Sequence, residues 1–196
     1  MCRFIESVCV YNSCPQLLDL HEARIRRTFQ HFFNGMVPFH LKEREFPNRN
    51  LIKWRIEYDK KGICKEEYKE YQKPSVNFLQ LVNSDSISYP FKFLNRNQLS
   101  ELYMSREKNC DDIIIVKNHK VTDTYYANLA FFQEGKWYTP KSYLLNGIKR
   151  QYLISTGQLS ETTILQADIC EFEKVSLINA MLDLSDLEIP TSAITF

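Results

Sequence analysis

The 196-residue chain predicts an α+β fold in two lobes. Three observations carry this expectation. The front part reads strand, helix, then strands. A polar break, "NSDSISYP", interrupts the pattern at residues 83–90. The rear reads as many strands with brief helices, without the regular strand–helix alternation of a doubly wound sheet. The break is taken as the interdomain linker, which gives a small α/β lobe at 1–85 and a larger strand-rich lobe at 86–196 carrying Lys92.

Each element has its own signal. "RFIESVCVY" is rich in apolar and β-branched residues and predicts a strand, with "NSCP" as its stop. In "HEARIRRTFQHFF", Ile25, Phe29, Phe32 and Phe33 fall at helical spacing, and Asn34-Gly35 closes the helix. "NLIKWRIEYDKKGICKEEYKEY" predicts a hairpin in which Ile52, Trp54, Ile56 and Tyr58 share a face and "DKKG" turns. "SVNFLQLV" predicts a further strand. Beyond the break come a helix over 97–108, strands on either side of "KNHK", and a hairpin turning at Glu134-Gly135. A helix over 148–156, a strand at 162–165, a helix near 168–173 and a strand through "KVSLINAML" complete the order.

Composition narrows the function classes. Lys and Arg number 25 against 24 Asp and Glu, a net charge of +1 with the two signs interspersed. That leaves no electrostatic footprint for nucleic acid or an acidic membrane surface. No apolar run reaches the ~18–20 residues of a membrane span. Glu6 interrupts the apolar stretch of "MCRFIESVCVYNS", so no signal peptide is expected and the chain reads as cytoplasmic. Six cysteines without a C-x-x-C read as reduced thiols, several of them in the core. Four histidines without H-E-x-x-H give no expectation of a metal.

Four features could carry chemistry. Lys92 lies between Phe91 and Phe93 in "SYPFKFLNR". It either snorkels over apolar surface or is a desolvated amine suited to Schiff-base formation. Arg24 offers a fork for a phosphate, although Arg24, Arg26 and Arg27 together also read as a solvated face. Gly147 in "LLNGIKR" stands at a helix mouth, where free N–H groups and the helix dipole favour an anion. Asp123, ending a strand in "VTDTYYANLAFF", either closes a turn or holds a protonated pyridine nitrogen.

Taken in order, these segments resemble the class IV aminotransferases, the pyridoxal-phosphate enzymes of fold type IV. The resemblance runs through "HEAR", "KFLNR", "VTDTYYANLAFF", "GKWYTP", "LLNGIKR" and "DICEFEKVSLINAM". It implies pyridoxal 5'-phosphate as cofactor, with Lys92 as the Schiff-base lysine that also shuttles the α-proton. It implies phosphate binding by Arg24 and by backbone N–H groups at Gly147, Ile148, Lys149, Asn179 and Ala180. Asp123 stands where the family usually has glutamate, against the pyridine nitrogen, and Asn128 has a supporting role. "KFLNR" and "LINAM" are more similar to the aminodeoxychorismate lyases, which makes Arg96 a substrate-binding candidate. The implied reaction turns 4-amino-4-deoxychorismate into 4-aminobenzoate and pyruvate for folate synthesis. The alternative is an aminotransferase acting on D-amino or branched-chain amino acids. A homodimer acting on a small-molecule amino substrate is implied in either case.

Overall fold

The computed structural model describes residues 2–41, 44–46 and 51–195. The chain forms two compact units, Met1–Gln72 with Phe91–Asn95, and Lys73–Pro90 with Arg96–Phe196.

The first unit is built on a four-stranded antiparallel sheet in the order β2-β1-β3-β4. Its strands are β1 (Phe4–Tyr11), β2 (Cys14–Pro15), β3 (Leu51–Asp59) and β4 (Gly62–Glu70). Register places Phe4, Glu6, Val8 and Val10 opposite Tyr58, Ile56, Trp54 and Ile52. All eight side chains are buried, as the period-two alternation of β3 requires. Helix α1 (Leu18–Phe33) sets Ile25 and Phe29 into this core, with Phe32 and Phe33 half-buried beside them. It ends at Asn34 in the left-handed region (φ 48°), so the asparagine rather than Gly35 makes the stop. β1 stops at Tyr11, directly before "NS", as expected. Asn12 and Ser13 both have positive φ and turn the chain into β2. Position 50, where the hairpin expected at "NLIKWRIEYDKKGICKEEYKEY" begins, lies outside the described residues.

The segment 91–95 belongs to this unit through backbone pairing. Ile5 N–H donates to the Lys92 carbonyl at 2.9 Å, and Leu94 N–H donates to the Arg3 carbonyl at 2.9 Å. The rings of Phe91 and Phe93 lie 4.8 and 5.6 Å from Phe32.

The second unit is a nine-stranded mixed sheet. Its strands are β5 (Leu79–Asn83), β6 (Asp112–Lys117), β7 (Lys120–Thr124), β8 (Asn128–Gln133), β9 (Lys136–Pro140), β10 (Ser160–Thr162), β11 (Lys174–Ile178), β12 (Glu188–Pro190) and β13 (Ile194–Thr195). The order is β10-β9-β8-β7-β6-β5-β13, with β11 pairing β8 and β12. Asn118 and His119 at "KNHK", and Glu134 and Gly135, all have positive φ and form two-residue hairpin turns. Helices α2 (Asn97–Met104) and α3 (Ile148–Ser155) are short, and Gln166–Glu171 is a 3-10 turn.

The expected division at 85/86 differs from the observed units. β5, assigned to the first lobe, hydrogen-bonds in parallel to β6 and belongs to the second unit. Lys92, assigned to the rear lobe, lies in the first unit because its backbone pairs with β1. The helix expected over 97–108 stops at Met104. There the Arg106 guanidinium donates to the Tyr103 carbonyl of the last turn and to the Cys110 carbonyl beyond it, and the chain bends towards β6. Of the cysteines, Cys110 is buried and Cys9 half-buried, while Cys2, Cys14, Cys64 and Cys170 are exposed. The edge strands β2 and β4 carry two of those exposed thiols, so the expected core placement holds for few of them.

Candidate active site

In the first unit, the phase of β1 that buries Phe4, Val8 and Val10 also buries a carboxylate, Glu6, completely. An isolated buried carboxylate is costly, and α1 supplies its partners from positions three apart. Arg24 Nε donates to Glu6 Oε1 at 2.8 Å, and Arg24 Nη2 donates to Oε2. His21 Nδ1 lies 2.6 Å from Oε2. Burial works against the Glu6 charge, but Arg24 and His21 outweigh it and hold the carboxyl down to about 2. His21 is pushed below its ordinary value by burial, with the charges of Arg24 and Lys92 acting the same way. The ring is therefore neutral near pH 7, with Nδ1–H donating to Glu6. Its Nε2 is buried without a hydrogen-bond partner.

Arg24 thus departs from the solvated-face reading, to which the exposed Arg26 and Arg27 conform. Arg24 and His21 share the buried face of α1 with Ile25 and Phe29. Lys92 is half-buried, with its backbone fixed by the pairing to β1 and its neighbours Phe91 and Phe93 packed as an aromatic collar.

In the second unit, strand pairing gathers the remaining candidates at one end of the sheet. Asp123 on β7 pairs with Asn128 on β8, which pairs with Ile178 on β11, directly before Asn179 and Ala180. Asp123 is buried, and its oxygens accept three hydrogen bonds. Asn128 Nδ2 donates to Oδ1 at 2.8 Å, while the N–H groups of Leu144 and Leu145 donate to Oδ2 at 3.0 and 2.9 Å. None of these donors carries a charge, and burial pushes the carboxyl up to about 6. A buried acid held only by neutral donors fits a cationic partner such as a protonated ring nitrogen.

Asn128 also donates to the Leu145 carbonyl at 2.9 Å, which ties β8 to the loop before α3. Gly147 precedes that helix with ordinary extended dihedrals (φ −68°, ψ 148°). It is required for space, because a Cβ there would collide with Asn128 Oδ1. Ile148 and Lys149 open α3, and Lys149 Nζ reaches Asp183 Oδ2 at 2.8 Å. Asn179 Oδ1 accepts from the N–H groups of Met181 and Leu182. The Asn179 N–H donates to the Leu182 carbonyl at 3.1 Å, so that member of the expected phosphate cradle is already engaged.

Arg96 lies in the second unit, sandwiched by aromatic rings. Its guanidinium carbon is 4.3 and 4.5 Å from the Tyr125 and Tyr126 ring centroids, and Nη2 donates to the Tyr125 carbonyl. Its Nε is buried without a partner. The structure therefore brings Arg24 and Lys92 into one unit, and Asp123, Gly147, Ile148, Lys149, Asn179, Ala180 and Arg96 into the other.

Sequence reasoning missed Glu6 as a partner of Arg24. Its signal was its phase in β1, two residues from Phe4 and from Val8 on the inward face. The Leu144 and Leu145 N–H groups had no sequence signal, since any residue type supplies them.

A sheet carrying a buried acid beside a glycine-led helix mouth, with a lysine between phenylalanines, defines a class that a family model also recognises. The model described as Amino-transferase class IV matches residues 66–187, and the chain belongs to that family of enzymes. Among particular relatives, an uncharacterized protein of Haemophilus influenzae is 36% identical over 187 residues, 92% of this chain and 98% of that one. The crystal structure of a candidate 4-amino-4-deoxychorismate lyase from Haemophilus somnus is similar with a TM-score of 0.87 and 27% identity, covering 94% of this chain and 98% of the other. A candidate amino-acid aminotransferase from Mesorhizobium loti shares the fold, with a TM-score of 0.76 and 15% identity over 96% and 99% of the two chains. No helix among the described residues is long and apolar enough to cross a membrane.

Proposed function

We propose that the protein is a pyridoxal-phosphate-dependent lyase that converts 4-amino-4-deoxychorismate to 4-aminobenzoate and pyruvate. The observation that carries this reading is the 27% identity to the Haemophilus somnus protein, held over 94% of the chain. The "KFLNR" run, with Arg96 four positions after Lys92, supports it.

Pyridoxal phosphate supplies an aldehyde that bonds amines and an electron-poor ring that spreads negative charge from a neighbouring carbon. Lys92 would hold the aldehyde through its Nζ and release it to the substrate amine. That Nζ would then be the base for the proton on the amine-bearing carbon. The enolpyruvyl group on the adjacent carbon would leave with its C–O electron pair as the enolate, take up that proton to become pyruvate, and leave the remaining ring aromatic. Arg24, aligned by Glu6, would offer its guanidinium to the phosphate; the N–H groups that open α3 at Gly147, Ile148 and Lys149, and that of Ala180, would offer backbone donors to it, whereas the Asn179 N–H already donates to the Leu182 carbonyl. Asp123 would face the ring nitrogen and favour its protonated form. Arg96 contributes to substrate recognition from its stack of tyrosines.

The decisive experiment is incubation of the loaded protein with 4-amino-4-deoxychorismate. Appearance of 4-aminobenzoate and pyruvate supports the lyase. No product from protein that demonstrably holds cofactor would sink it, and a stoichiometric conversion of cofactor to its amine form by D-amino or branched-chain amino acids would replace it with an aminotransferase. A cytoplasmic homodimer serving folate synthesis completes the proposal, and a monomer by light scattering would refute the assembly.

A further inference from the structure

Arg150 has no role so far, yet it is among the most buried charged residues of the second unit, at 2% exposure. It stands on the first turn of α3, three residues after Gly147, with its side chain turned onto the loop 140–146. Nη2 donates to the Pro140 carbonyl at 3.0 Å, where the loop begins. Nη1 donates to Asn146 Oδ1 at 3.3 Å, where it ends. Between these points the guanidinium carbon lies 4.4 Å from the Tyr143 ring centroid. Glu161, whose side chain is 39% exposed, accepts from Nη2 at 2.5 Å and balances the charge.

The held loop is the one that presents the Leu144 and Leu145 N–H groups to Asp123 and the Leu145 carbonyl to Asn128. We propose that Arg150 is a positioning residue that clamps this loop and so keeps the Asp123 carboxyl supplied with its two backbone donors. Asn128 from β8 and the two loop N–H groups are neutral, and Arg150 of α3 is the charge that acts on Asp123 to favour ionisation. A planar fork is needed, since an ammonium cannot reach both ends of a loop at once. The catalytic meaning of this clamp rests on the proposed placement of Asp123 against the cofactor ring, but the clamp itself does not.

The test is a carboxyl-carbon NMR titration of Asp123 in the full chain without cofactor, its signal assigned by loss in Asp123→Asn. Arg150→Gln is expected to raise the midpoint by about one pH unit, a tenfold change in proton affinity. Arg150→Lys, which keeps charge without the fork, gives a smaller rise. Glu161→Gln lowers the midpoint, because it leaves the arginine charge uncompensated. An arginine that only stabilised the fold would lower the melting temperature and leave the midpoint in place. A folded Arg150→Gln protein titrating like the wild type overturns the proposal. If that variant does not fold, an unmoved midpoint in Glu161→Gln overturns it instead. Shifted midpoints together with an unchanged pH profile of product formation in Glu161→Gln would uphold the clamp while removing Asp123 from the reaction.

Discussion

Asn128 occupies the space that any side chain at Gly147 would need. The glycine's dihedrals are open to every residue, so the constraint is purely one of volume. Gly147→Ala is therefore expected to destabilise the protein by about 1–3 kcal/mol through overpacking. It is also expected to push Asn128 away from Asp123. Chemical denaturation measures the first effect. Adding Asn128→Ala to Gly147→Ala should recover part of the loss, and strictly additive costs would rule out the clash.

Lys92→Ala is expected to end covalent retention of the cofactor. Borohydride treatment followed by mass spectrometry of tryptic peptides should find the adduct on Lys92 in the wild type and nowhere in the variant. An adduct on another lysine would reassign the role.

Glu6 and Asp123 pull stability in opposite directions as pH falls. Glu6 drops from an ordinary 4.5 to about 2 in the folded chain, so its contribution is complete above pH 4.5 and is lost as pH falls towards 2. Asp123 rises from 3.8 to about 6, so the folded chain gains a proton first and stability increases as pH falls from 6 towards 4. Each effect is worth about 3 kcal/mol at full extent. Urea midpoints measured across this range should rise and then fall on acidification, and Asp123→Asn should remove the rising limb alone.

Glu6→Gln leaves the buried Arg24 charge without its carboxylate. A cost of about 3–5 kcal/mol is expected, as for breaking one side of a buried pair. Cofactor phosphate affinity should fall as well, because the guanidinium loses one of the two acceptors that aim it. Equilibrium dialysis with pyridoxal phosphate at a temperature where the variant stays folded separates the two effects. Wild-type affinity there would detach Glu6 from the phosphate site.

What the sequence disclosed follows the range of the forces involved. The hairpins turning at Asn118-His119 and Glu134-Gly135 were legible because pattern and turn chemistry are local. The inward face of β3 was legible from alternation alone. The short strands β2, β12 and β13 were not, because each exists through a partner elsewhere, as β13 does through β5. Polar "NSDSISYP" looked like a linker, but the pairing of β5 with β6 and of residue 92 with β1 decides where the units divide. At the candidate site, side chains with their own chemistry (Lys92, Arg24 and Asp123) could be named in advance. The partners that tune them could not, since Glu6 looked like a strand residue and Leu144 and Leu145 act through their backbones.

The return of residues 91–95 to the first unit bears on how such a chain can be rearranged. Neither unit is a single stretch of sequence, so no single cut yields two pieces that each hold all their own residues. A chimera joined once near residue 72 would pair β1 of one parent with the lysine segment of the other. Exchange of the first unit between relatives therefore takes three junctions, and Lys92 has to travel with β1 rather than with the strands that follow it in sequence.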